Sequence, residues 1–170
     1  MKKTVSGILF ILFIAAPICL YAQSNGISLG YGFALFSEPG EIGKIEEGSY
    51  DYVQFAYAHE RALSERLGVL IEPFVAYVVR PVQGVDVGFT VSLKHSFKQR
   101  GDNGFFLTLG GGSAYTSVNF KEQGTHLLFI LQAGIGYRWK EFFIENRLRH
   151  YSNASTAQPN RSINSNTVIM

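Results

Sequence analysis

Residues 85–94 read VDVGFTVSLK, a stretch in which large apolar side chains alternate with polar or small ones. Because successive side chains of a strand point to opposite faces, one face of this segment is apolar while the other carries Asp86 and Lys94. The same period of two recurs over residues 27–35 and 127–139. No apolar run of helix length follows the N-terminal segment. This pattern is typical of membrane-spanning β-strands, whose two sides face lipid and lumen.

Turn-rich segments divide the rest of the chain into eight such strands. We therefore predict an all-β fold, an eight-stranded antiparallel transmembrane β-barrel. An even number of strands is what single-chain bacterial barrels of the outer membrane have. The strands are expected near residues 26–36, 50–61, 67–79, 83–97, 104–118, 125–139, 141–152 and 163–170.

Side chains fill the interior of a barrel of this size, so the inward polar groups are expected to pair with one another and to leave no open pore. These groups are Glu72, Asp86, Lys94, Glu145 and Arg147. Pro73 lacks an N–H inside the third strand, which predicts a bulge or kink there. The last strand, 163–170, is shorter than the roughly 9–11 residues that cross a membrane.

The N-terminal segment has the layout of a secretory signal peptide, with Lys2 and Lys3 ahead of an apolar run that ends in Tyr21-Ala22. We expect cleavage after Ala22, so that residues 1–22 are removed and residues 23–170 form one barrel domain. The single cysteine leaves with the signal peptide, which excludes a disulfide or a thiolate metal site in the mature chain. Thirteen basic and thirteen acidic residues then remain, with no basic tract of the kind that binds nucleic acid.

A histidine and a serine lie two residues apart near the end of the seventh strand, in the stretch RHYSNA of residues 149–154. Strand parity puts His150 and Ser152 on the same, more apolar face, roughly 7 Å apart at their Cα atoms. A serine hydroxyl becomes a nucleophile when a base takes its proton, and histidine is suited to that role near neutral pH. The pair is therefore a candidate for ester hydrolysis.

Barrel topology predicts where this pair lies in the membrane. Both termini of an even-stranded barrel face the periplasm, so the seventh strand ends at the outer leaflet, on the lipid face. In Gram-negative bacteria that leaflet consists of lipopolysaccharide, whose acyl chains the serine would meet. Ionisable groups on a lipid-contacting surface tend to be functional. The alternative is that His150 and Ser152 only mark the aqueous end of the strand.

The base of such a site needs a third group that orients it. If the seventh and eighth strands form a hairpin, Asn164 lies directly opposite His150, and its amide oxygen can accept a hydrogen bond. Asn153 and the backbone N–H groups of the turn that reaches Ser155 are candidates for stabilising an oxyanion. We expect no metal, because the other histidines are spread over different strands without ligand spacing. They are His59, His95 and His126.

The residues of this region resemble the C-terminal signature of the PagL-type lipid A deacylases. The matching elements are HYSNA at 150–154, then QPN at 158–160 and Ile163. The resemblance implies an eight-stranded outer-membrane barrel that hydrolyses the ester at the 3 position of lipid A and releases a hydroxyacyl chain. It also implies that Ser152 is the nucleophile and His150 the base, with the oxyanion held around Asn153.

Three positions depart from the family pattern. Asn164 stands where a glutamate is usual, Ser155 stands where a glycine is usual, and the last strand is shorter. No cofactor is expected, and the expected partner is lipid A in the outer leaflet, with Arg161 and Lys121 in predicted outer loops as candidates to contact its phosphates. A non-catalytic surface barrel and a lipid A acyltransferase barrel are the alternatives.

Overall fold

The computed structural model describes residues 23–37, 49–99 and 103–170. Each strand pairs with the next in antiparallel fashion, and the last pairs with the first to close an eight-stranded barrel. The strands are β1 (Gln23–Ser37), β2 (Asp51–Ala62), β3 (Leu67–Arg80), β4 (Gly84–Ser96), β5 (Gly104–Thr116), β6 (Leu127–Trp139), β7 (Phe142–Ser152) and β8 (Ile163–Ile169). The predicted fold is confirmed, and β1 differs most from its predicted bounds. The predicted signal peptide lies outside the described residues.

Most connections are longer at one end of the barrel than at the other, with the short 81–83 link between β3 and β4 as the exception. Short turns link β2 to β3 and β6 to β7 on the side of the chain termini. Longer segments on the other side link β5 to β6, here called the 117–126 loop, and β7 to β8, here called the 153–162 loop. Outer-membrane barrels have short periplasmic turns and longer extracellular loops. The 153–162 loop therefore lies at the cell surface.

The outward face of the wall is hydrocarbon along most of its height. Large apolar side chains point outward from every strand between β1 and β7 and are about half exposed, among them Leu29, Phe55, Tyr77, Phe89, Leu109, Leu131 and Leu148. In water such a surface would be unfavourable, whereas against acyl chains it is what a transmembrane barrel needs. No helix in the described part of the chain is long and apolar enough to cross a membrane.

The lumen is filled by paired charges, as predicted. Arg147 lies between two carboxylates, with Nη1 at 2.8 Å from Glu72 Oε2 and Nη2 at 2.7 Å from Glu145 Oε2. The ammonium group of Lys94 lies 2.9 Å from Glu60 Oε2. Tyr50 donates a hydrogen bond of 2.8 Å to Asp86. Because these groups pair with one another, the barrel tolerates charges in its interior.

The bulge expected at Pro73 is wrong. Pro73 pairs with Phe89 of β4 in an unbroken register. On its other side, the ladder with β2 omits two residue pairs between Ala56–Phe74 and His59–Ile71 and then resumes in the same register. The missing N–H is thus accommodated by a local gap in the ladder, without an extra residue. The expectation of a short last strand is confirmed, since β8 has seven residues.

Candidate active site

Strand β7 carries the predicted pair to the outer rim of the barrel. His150 and Ser152 are both half-buried and share the outward face, while Tyr151 between them is buried in the lumen. His150 is flanked by Leu131 of β6 and by Asn164 of β8. The strand pairing predicted for His150 and Asn164 is therefore confirmed.

The imidazole is held by this cross-strand partner. His150 Nδ1 lies 2.9 Å from Asn164 Oδ1. Because an amide oxygen can only accept, Nδ1 carries the proton and donates it, which leaves Nε2 as the acceptor for a serine proton. Within the described residues no hydrogen bond joins His150 to Ser152. Catalytic hydrogen bonds are often long or poorly aligned before substrate binds, so the absence of this bond does not exclude the pair.

Strand β8 begins at Ile163, so Ser152 pairs with β6 on one side but lies beside the 153–162 loop on the other. The last pair of the β7–β8 ladder is Tyr151 with Ile163, one step short of Ser152. Directly after Ser152 the chain makes a tight turn, in which the Thr156 N–H donates to the Asn153 carbonyl at 3.0 Å. The two central residues have φ values of 50° at Ala154 and 62° at Ser155. Both values are positive, as in a type I′ turn.

This turn presents two backbone donors near the serine. Among the described residues, no hydrogen bond occupies the N–H of Ala154 or that of Ser155. Successive N–H groups in such a turn form a concave site for an anion. The Ser155 side chain is engaged within the 153–162 loop, since its Oγ accepts a hydrogen bond of 3.2 Å from Asn160 Nδ2.

Asn153 is placed differently from the expectation that its side chain would hold an oxyanion. The residue is fully buried, and Nδ2 donates to the carbonyls of Ala157 at 3.1 Å and Pro159 at 2.9 Å. Its backbone N–H donates to Asn160 Oδ1 at 2.9 Å. All three of its hydrogens therefore hold the 153–162 loop together. Asn160, which was not predicted as a functional residue, links Asn153 to Ser155.

A groove of about 330 Å³ runs along the outer face of the barrel beside His150 and Asn164. Its outward-facing apolar side chains come from four strands: Leu35, Leu109, Leu131, Ala133 and Leu148. Ala133 is a small residue between larger ones, and Leu35 sits at the bulge where β1 meets β8. No local pattern in the sequence predicts this groove, because only the strand register brings its residues together.

The two cations predicted to contact substrate lie at the same rim. Lys121 and Arg161 are both exposed. Arg161 belongs to the 153–162 loop, and its backbone N–H donates to the carbonyl of Glu122 at 2.8 Å, directly beside Lys121. The two loops are thus paired where these cations emerge. The described residues contain no cluster of three or more His, Cys, Asp or Glu that could bind a metal ion.

Comparisons with known proteins identify the family of this chain. The family model described as lipid A 3-O-deacylase (PagL) matches residues 25–170. A solved structure titled "Crystal structure of the outer membrane enzyme PagL" aligns with a TM-score of 0.65 and 18% sequence identity, covering 87% of this chain and 97% of that chain. No match was found among curated proteins. The chain therefore belongs to the lipid A 3-O-deacylase family, whose members are outer-membrane barrels that hydrolyse the 3-O-linked acyl ester of lipid A.

Proposed function

We propose that this chain deacylates lipid A by a serine mechanism in which Ser152 is the nucleophile, His150 the base and Asn164 the residue that orients the base. The observation that carries the proposal is the contact of 2.9 Å between His150 Nδ1 and Asn164 Oδ1. Ser152 follows His150 by two residues and lies on the same lipid-facing side of β7. A neutral imidazole fixed through Nδ1 offers Nε2 to the serine proton.

The reaction proceeds in two steps. Ser152 Oγ attacks the carbonyl carbon of the 3-O ester while His150 Nε2 takes its proton, and the tetrahedral oxyanion is stabilised by the backbone N–H groups of Ala154 and Ser155. The imidazolium then protonates the sugar oxygen, which leaves as the alcohol of the deacylated lipid. Water, deprotonated by His150, hydrolyses the acyl-serine ester and releases the acyl chain as a carboxylic acid.

The groove and the rim cations bind the rest of the substrate. The acyl chain to be removed lies in the apolar groove that passes Leu131 and Leu148. There its contacts with the groove replace the contacts that it made with neighbouring lipids. Lys121 and Arg161 contact the phosphates of the glucosamine headgroup, which lies above the hydrocarbon. The groove and the two cations together align lipid A so that its 3-O ester lies at the height of Ser152.

The asparagine affects how strongly this site stabilises the transition state. A carboxylate in that place would stabilise the imidazolium that forms when His150 takes the serine proton, whereas an amide only orients the ring. The site therefore supports hydrolysis at a lower rate than one with an acid. Acyl transfer is disfavoured, since the described part of the lumen holds the charges around Arg147 where an acyltransferase needs an apolar pocket.

The test is mass spectrometry of lipid A from cells that carry the wild type, Ser152→Ala or Ser113→Ala. Ser113 is a matched control, because it also faces outward and is the cross-strand partner of Phe129, as is Ser152. We expect loss of one acyl chain with the wild type and the control, and intact lipid A with Ser152→Ala. Deacylation by Ser152→Ala would contradict the serine mechanism, and a gain of acyl mass would indicate transfer.

A further inference from the structure

We propose that Gln123 and Gly124, in the 117–126 loop, are positioning residues for the reaction. They hold the segment 158–161, which in turn fixes the tight turn that follows Ser152. This inference rests on the serine mechanism proposed above, and it assigns a part in that mechanism to a loop that contains none of its reacting groups.

The 117–126 loop is itself firmly attached to the barrel. Ser117 is bonded to Val85 of β4 twice, since its N–H donates to the Val85 carbonyl at 2.9 Å and its Oγ accepts from the Val85 N–H at 2.7 Å. Phe120 is buried against Tyr50, with ring centroids 5.2 Å apart, and Tyr50 lies 6.2 Å from Tyr151. The loop is thus linked, through Tyr50, to the residue between His150 and Ser152.

From this base the loop pairs with the segment 158–161. Gln123 forms an isolated β-bridge with Asn160, and its buried side chain donates through Nε2 to the Arg161 carbonyl. The Gly124 N–H donates to the Pro159 carbonyl at 2.8 Å. These bonds fix the backbone on both sides of Asn160.

The contacts continue from there to Ser152. The Pro159 carbonyl accepts from Gly124 and also from Asn153 Nδ2, at 2.9 Å, so one oxygen joins the loop to the residue after the serine. Asn160 Oδ1 accepts from the Asn153 N–H, and its Nδ2 donates to Ser155 Oγ. The orientation of the Ala154 and Ser155 N–H groups therefore depends on where segment 158–161 is held.

Position 124 requires glycine for this contact. A β-carbon there would overlap the backbone carbonyl of Gln158. Since the overlapping atom belongs to the backbone, an alanine would push the 158–161 segment away from the 117–126 loop. A displacement of this kind, even of about 1 Å, can cost ~100-fold in rate when it misplaces groups that act on the transition state.

The experiment compares Gly124→Ala and Gln123→Leu with Gly104→Ala in the full-length mature protein, folded in detergent micelles that contain lipopolysaccharide. Gly104 is a suitable control, because the atom nearest to its added β-carbon is 3.5 Å away, on the flexible Lys98 side chain. Three quantities are measured: kcat and KM for acyl release across pH, the rate at which a fluorophosphonate labels Ser152, and the heat-modifiable gel mobility that reports a folded barrel.

We expect both loop variants to lose roughly 10- to 100-fold in kcat and in labelling rate, with KM, the pH of half-maximal rate and gel mobility unchanged. Gly104→Ala should match the wild type. A kcat within about twofold of wild type in both loop variants would overturn the proposal. Unfolding of both would also overturn it, since the loop would then serve barrel assembly. A wild type that is labelled but releases no acyl chain would contradict the proposed function alone, and the labelling ratios would still decide the positioning role.

Discussion

His150 Nδ1 lies 2.9 Å from Asn164 Oδ1 at the outer rim, and the same contact recurs at the opposite rim, where His59 Nδ1 lies 2.7 Å from Asn25 Oδ1. Both pairs join adjacent strands. Two residues after His150 comes Ser152, whereas two residues after His59 comes Arg61. The outer-rim pair therefore differs from the pair at the opposite rim by the serine and the loop beside it.

The two histidines allow a matched test of the base. We expect His150→Gln to lower kcat for lipid A deacylation by roughly 10³-fold or more, because nothing then takes the serine proton. His59→Gln should leave kcat unchanged. The measurement is acyl release from lipopolysaccharide in detergent micelles. Equal effects of the two changes would mean that the histidines serve the barrel and not the reaction.

Substitution of Asn164 tests the orienting role. A glutamate at this position would stabilise the imidazolium, so we expect Asn164→Glu to raise kcat at alkaline pH and to move the acidic limb of the pH–rate profile to higher pH. Asn164→Leu should lower kcat, since Nδ1 then has no partner. The profiles of kcat and kcat/KM between pH 5 and 10 are the measurement. A flat or lost activity in Asn164→Glu with a folded barrel would contradict the assignment.

The small side chain of Ala133 is expected to set the width of the groove. Ala133→Phe would fill space between Leu109 and Leu148, so we expect KM to rise several-fold for esters of long acyl chains and to change little for short ones. Ile135→Phe, on the same face of β6 but outside the groove lining, is the control. Synthetic esters of graded chain length provide the assay, and equal losses at all lengths would count against a groove for the acyl chain.

The charges around Arg147 are expected to matter for stability more than for catalysis. Arg147→Ala would leave Glu72 and Glu145 buried without their cation, which should cost roughly 3–5 kcal/mol of unfolding free energy. Arg66→Ala, at an exposed turn, should be neutral. Urea unfolding in lipid vesicles, followed by gel mobility, measures both. A stability equal to wild type in Arg147→Ala would show that these carboxylates find other partners.

Strand alternation made much of this fold predictable. The period of two in residues 85–94 and its recurrence predicted membrane-spanning strands, because one side of such a strand must be apolar to face lipid. The turn-rich segments between them then gave the number of strands. Pairing followed from adjacency, and so did the position of Asn164 opposite His150. The prediction at Pro73 was wrong because sequence alone does not say whether a missing N–H leads to an extra residue or to omitted pairs in the ladder.

The site was predictable only where its residues lie close in the sequence. His150 and Ser152 share a strand, whereas the groove depends on the register of β5 to β8 and β1, which no local pattern contains. Asn153 is a polar residue next to a serine in the sequence. Its burial depends on contacts with Pro159 and Asn160 in the folded loop, which the sequence alone does not predict. The pairing of the 117–126 loop with this segment depends on backbone bonds, which leave little trace in side-chain composition.

The seven residues of β8 have a further consequence for the surrounding bilayer. Fully extended they reach about 24 Å, and strand tilt lowers that height further, so the wall is lower here than the hydrocarbon thickness it must match. Lipids beside β8 must compress or lean inward, at a cost of fractions of a kcal/mol per ångström. Thinning at this spot brings headgroup esters down to Ser152, and deacylation should therefore slow as the host phospholipids are made longer.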